Sequence, residues 1–115
     1  MEKSAAYKGK PEVLSPSMNI DDPGELGTVS GTQLHTDGHY GVFKEASIQV
    51  ECVIAHPNGN SYPSGKFNPQ GTDTWYYDFS SIPPTPSGQT ARLTATLYGA
   101  GGNAVAEDHH DITIT

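Results

Sequence analysis

Along residues 89–98 apolar and polar side chains alternate, with Ala91, Leu93, Ala95 and Leu97 on one face and Arg92, Thr94, Thr96 and Tyr98 on the other. A period of two belongs to a half-buried β-strand. Gly99, Gly101, Gly102 and Asn103 follow, all tolerant of positive φ, so the strand is predicted to turn sharply into a last strand ending at Ile112 and Ile114. The same alternation runs through residues 46–55, where Ile48, Val50, Cys52 and Ile54 face inward against Gln49, Glu51 and Val53. It recurs at 73–80, with Trp75, Tyr77 and Phe79 as core and Tyr76 and Asp78 outside.

The remaining segments are weaker. Residues 25–34 alternate with neither face strongly apolar, and Gly27 and Gly31 within them predict a bulge or the close approach of another backbone. Residues 11–16 hold Val13 and Leu14 between prolines, as a short edge strand would. Residues 19–24, with Pro23 and Gly24, read as a turn. Residues 35–41 read as a loop tightened at Asp37 and Gly38, and residues 82–88 as a proline-stiffened crossover. Asn58-Gly59 turns the chain into a segment anchored by Tyr62 and Phe67. Turn signals about every ten residues and no helical stripe predict an all-β fold, an antiparallel β-sandwich of about seven strands over residues 11–115. Residues 1–10 are patternless and read as a disordered leader or an expression remnant.

Composition tempers this picture. Leu, Ile, Val and Phe number 20 of 115 residues, a low count that makes disorder a competing reading. Period-two segments and six Tyr with a Trp decide for order. Formal charge is −7, and from Pro11 onward three basic residues face twelve acidic ones. Such a surface excludes nucleic acid, whose phosphates need a basic patch, and no apolar run is long enough to insert in a membrane. Cys52 is the single cysteine, so there is no internal disulfide and no cysteine-based zinc site.

Certain stretches, taken in order, resemble a known family. They are Gly27-Thr28-Val29-Ser30-Gly31-Thr32, Asp73-Thr74-Trp75-Tyr76-Tyr77, Leu93-Thr94-Ala95-Thr96 running to Gly102-Asn103, and the terminal Ile112-Thr113-Ile114-Thr115. They resemble the bacterial immunoglobulin-like repeats of surface adhesins and other large exported proteins. The resemblance implies an immunoglobulin-like sandwich acting as a non-catalytic spacer or adhesion unit at the cell surface or outside the cell, beside neighbouring domains of a larger chain. Those repeats often carry an Asp four residues before the final Asn of the turn; here Gly99 stands there, so that brace is missing.

Candidate sites follow from residue type. Tyr40, Tyr62, Tyr76 and Tyr98, taken as exposed, are candidates for a sugar-stacking surface, which would make the chain a carbohydrate- or ligand-binding module. Asp21, Asp22, Glu25, Asp108 and Asp111 are a hard-oxygen set suited to Ca2+, which would make it a calcium-stabilised domain. His35 and His39, and His109 and His110 between Asp108 and Asp111, have the donors for zinc, nickel or copper. No motif pairs a nucleophile with a base, so no enzyme and no cofactor is expected, and the expected partners are proteins or glycans.

Overall fold

A computed structural model describes residues 16–41 and 47–115. The expected leader, residues 11–15 of the proline-flanked strand and Ala46 lie outside the described residues. The described residues form eight strands: β1 (Ser17–Asp22), β2 (Thr28–Val29), β3 (Leu34–Gly41), β4 (Gln49–Ala55), β5 (Ser61–Pro63), β6 (Thr74–Phe79), β7 (Ala91–Tyr98) and β8 (Ala104–Ile114). They make two sheets, one ordered β1-β3-β6 and the other β2-β8-β7-β4-β5. All the pairings are antiparallel except β2 with β8, which is parallel and corrects the expectation of a purely antiparallel arrangement.

The inward rows of both sheets meet in one core. Met18, Ile20, Leu34, Trp75 and Phe79 come from the smaller sheet, and Val50, Cys52, Ile54, Ala91, Leu93, Ala95, Leu97, Ile112 and Ile114 from the larger. Each fully buried Leu or Ile contributes roughly 1.5–3 kcal/mol, so a short list of aliphatics suffices when so many are completely enclosed. The alternation read in β4, β6 and β7 holds, with Tyr77 half-buried beside Phe79. Cys52 is fully enclosed, and burial first, then the Glu51 charge, push its thiol up to about 12. It is an inert apolar filler.

Two local expectations change. Residues 35–41 are the body of β3 and no loop. Asp37-Gly38 is present for packing: a Cβ on Gly38 would lie 1.9 Å from the Asn19 carbonyl oxygen and 2.6 Å from the Trp75 ring. Between residues 25 and 33 only Thr28–Val29 is extended, and Leu34 already opens β3. Leu26 has a φ of 63° and Gly27 N–H donates to the Gly24 carbonyl, so alternation cannot run through. The expected close approach at Gly31 is real, since its N–H donates to Thr115 and its carbonyl accepts from Ile82. The turn expected over residues 19–24 is confined to its end, because β1 continues through Asp22.

The chain from β1 to Gly31 lies alongside β8, running the same way. Ile20 N–H donates to the Asp108 carboxylate, His110 Nδ1 to the Pro23 carbonyl, and Leu26 N–H to the Asp111 carbonyl; Thr113 and Thr115 N–H donate to Gly27 and Val29. This explains why the inward row of β8 turns polar at Asp108 and His110: those side chains satisfy backbone groups of the facing segment instead of filling the core. At the opposite edge of the smaller sheet, the Gln70 carboxamide both donates to Tyr76 O and accepts from Tyr76 N–H, covering groups that an edge strand would otherwise leave open.

Candidate functional site

The outer face of the smaller sheet gathers the chain's densest chemistry. β3 alternates, so Leu34, Thr36 and Gly38 turn inward while His35, Asp37 and His39 turn out. Register sets His35 opposite Asp78, Asp37 opposite Tyr76, and His39 opposite Thr74 on β6. On the other side Asn19 faces His39 and Asp22 faces Asp37. A shift in register between Ile20 and Asp22 takes up one extra residue. That bulge matters, because strict alternation from the buried Ile20 would put Asp22 inside, whereas both Asp21 and Asp22 stand exposed. Thr36, completely buried beneath, donates its hydroxyl to the Asp22 carbonyl at 2.8 Å and fixes the bulge from below.

His35 sits between two carboxylates. Its Nδ1 is 2.6 Å from Asp78 Oδ1 and its Nε2 2.8 Å from Asp37 Oδ2, and its ring stacks on Tyr76 at 6.1 Å. Carboxylate oxygens only accept, so making both bonds requires both ring nitrogens to carry protons, which is the imidazolium. The Asp78 bond above all, then the Asp37 bond, raise the His35 pKa above 6.5 against an opposing loss of hydration. Next to this group His39 Nδ1 meets Asp21 Oδ2 at 3.0 Å.

A folded-state pKa raised above the unfolded value gives stability that is present in full below about 6.5 and disappears as pH rises through the folded value. The His35 ring protons should therefore titrate above 6.5 in metal-free buffer, and Asp78→Asn should bring the midpoint down. Melting temperatures of wild type and His35→Gln should differ more at pH 5.5 than at pH 8.5; an equal difference at both would show that the two carboxylates do not favour the imidazolium.

Asp22, His35 and Asp37 each offer a ligand atom within 4.8 Å of the others, the one such grouping of three found among the described residues. Of the five acids expected to serve Ca2+, only Asp22 belongs to it. Asp21 goes to His39, Asp108 to the Ile20 amide, Glu25 to the Asp111 amide and Asp111 to Arg92, whose guanidinium holds the Asp111 carboxyl below its usual range. His109 is exposed while His110 turns inward to Pro23, so the adjacent pair points to opposite faces. His35 and His39, expected on a loop, stand four residues apart on the same face of one strand.

The four tyrosines do not share a platform. Tyr40 and Tyr62 pack against the core; Tyr98 lies under Lys66 on the larger sheet, and Tyr76 stands beside His35 on the smaller. His56, which no motif singled out, is buried, with Nε2 donating to the Pro83 carbonyl at 2.8 Å and Nδ1 accepting from Asn58 N–H. It is a structural pin for the crossover. Compared with known proteins, the chain matches no family model and no curated protein.

Proposed function

We propose that this chain is a non-catalytic immunoglobulin-like module, a spacer or adhesion unit in a surface or secreted protein of bacterial type. The observation that carries this reading is the path of the chain. β1 begins beside the β7–β8 turn, and β8 finishes at the other end of the fold, beside Gly31 and Ile82. Among the described residues, entry and exit are thus separated by about the length of β8, about 35 Å for its eleven residues. Tandem units joined that way extend in line.

Sheet order supports the immunoglobulin-like assignment. The order β1-β3-β6 against β8-β7-β4-β5, with β2 crossing to pair with β8, matches a sandwich whose first strand is shared between two sheets. The inter-sheet disulfide of antibody domains has no counterpart, since Cys52 is free, and the buried Trp75 lies on β6. An acidic surface keeps successive modules from sticking to one another.

The bonds joining residues 26–31 to β8 lie across the line from entry to exit, so tension along that line loads them together in shear. Pulling the domain through residues 16 and 115 should require a higher unfolding force than pulling through residues 16 and 101, where β1 and β8 start at the same end and peel one bond at a time. Equal forces in both geometries, or a weaker response through 16 and 115, would remove the support for a load-bearing spacer.

A further inference from the structure

We propose that His35, Asp37 and Asp22 form a binding site for a divalent first-row transition metal ion of the Zn2+ type on the outer face of the smaller sheet, with Asp78 as the positioning residue. The inference stands apart from the spacer reading and rests on different observations.

Three features carry it. The ligand atoms of Asp22, His35 and Asp37 already lie within 4.8 Å of one another. In a tetrahedral site with bonds of about 2.0–2.2 Å, ligand atoms stand roughly 3.3–3.5 Å apart, so collapse onto an ion needs only small rotations of exposed side chains. The 2.8 Å between His35 Nε2 and Asp37 Oδ2 is shorter than that separation, as expected for a pair that now shares a proton. Second, Asp78 Oδ1 holds His35 Nδ1 at 2.6 Å. A ligating imidazole commonly has its other nitrogen fixed by a carboxylate, which sets the ring orientation and strengthens the free nitrogen as a donor. Here that arrangement leaves Nε2 directed at Asp37. Third, the positions are set by backbone and not by floppy loops: Asp37 and Asp22 are register partners, and the bulge that turns Asp22 outward is tied to β3 by Thr36.

Donor type narrows the ion. One imidazole nitrogen with two carboxylates suits Zn2+, Co2+ or Ni2+, whereas Ca2+ prefers six to eight oxygens. The side chains are 40% and 44% exposed at Asp37 and His35, so water completes the coordination. As the ion enters, the Nε2 proton leaves to solvent while the Nδ1 proton stays on the bond to Asp78.

The test is a titration of the 15N-labelled full chain with zinc chloride at pH 7.5, read on the histidine ring nitrogens. The expected result is saturation at one ion per chain, with His35 Nε2 moving to a metal-bound position, Nδ1 still protonated, and His39, His56, His109 and His110 unchanged. Asp78→Asn, which touches no metal, should weaken binding about 10–100-fold, and Asp22→Asn should weaken it as well. Calcium chloride at the same concentration should leave His35 unmoved. The site is overturned if His35 stays still at about 1 mM zinc, the weak end of specific binding, or moves only in step with the exposed His39 and His109. An unchanged affinity in Asp78→Asn would overturn the positioning role. Wild type supplies the primary readout, so the result does not depend on a variant folding.

Discussion

Trp75→Ala is expected to remove about 3–5 kcal/mol of stability, and Leu93→Ala about 2–5 kcal/mol, which for a chain of this size threatens folding itself. Both side chains are essentially inaccessible, Trp75 at 1% and Leu93 at 0%, and they come from opposite sheets of the shared core. Removing either leaves a void that the surrounding ladders hold open, so the loss exceeds simple transfer to water. Trp75 adds a second feature: its indole Nε1 is buried with no hydrogen-bond partner among the described residues. An orphaned buried donor costs on the order of 1–3 kcal/mol, a penalty that both substitutions relieve, so Trp75→Phe, which also keeps most of the ring volume, should lose much less than Trp75→Ala. Urea midpoints measure all three. Midpoints near wild type for both alanine variants would contradict the shared core.

Gly38→Ala is expected to be nearly as damaging, from a change of one methyl group. The added Cβ would lie 1.9 Å from the Asn19 carbonyl oxygen and 2.6 Å from the Trp75 ring. A flexible side-chain tip could step aside, but the nearest obstacle is the backbone of β1 and the next is the largest side chain in the core. Overpacking of this kind costs typically 1–3 kcal/mol or more. Relief requires β1 to move away from β3, which carries Asp22 away from Asp37, so zinc affinity should fall together with stability. Gly24→Ala is the control, since its Cβ would meet nothing within 4 Å. Equal denaturation midpoints for the two variants would show that the close contact at Gly38 is not maintained in solution.

The period-two runs at 48–54, 75–79 and 91–97 identified their strands and inward faces, because a residue's burial there depends on nothing but its parity along the chain. The same logic failed for β3. His35, Asp37, Gly38 and His39 look like turn residues, since polarity and glycine serve equally for a loop and for a strand whose outer face is wet and whose inner face is crowded by a tryptophan. Only the packing of Trp75 over Gly38 separates those cases. The candidate site was legible in fragments: Asp22, His35 and the acidic character of the region were all visible as donors, but sorted into separate calcium and transition-metal sets. Asp37 and Asp78 gave no signal of their own.

What the sequence determined by itself was the β class, the apolar rows and the inert cysteine, all consequences of local spacing. What only the tertiary structure decided was which rows meet. The parallel run of the first segment beside β8, the polar inner row at Asp108 and His110, and the bulge that turns Asp22 toward Asp37 join residues 14 to 88 positions apart. Sequence spacing carries no information about such pairs, because their proximity is set by strand register and by the demand that every enclosed backbone group find a partner.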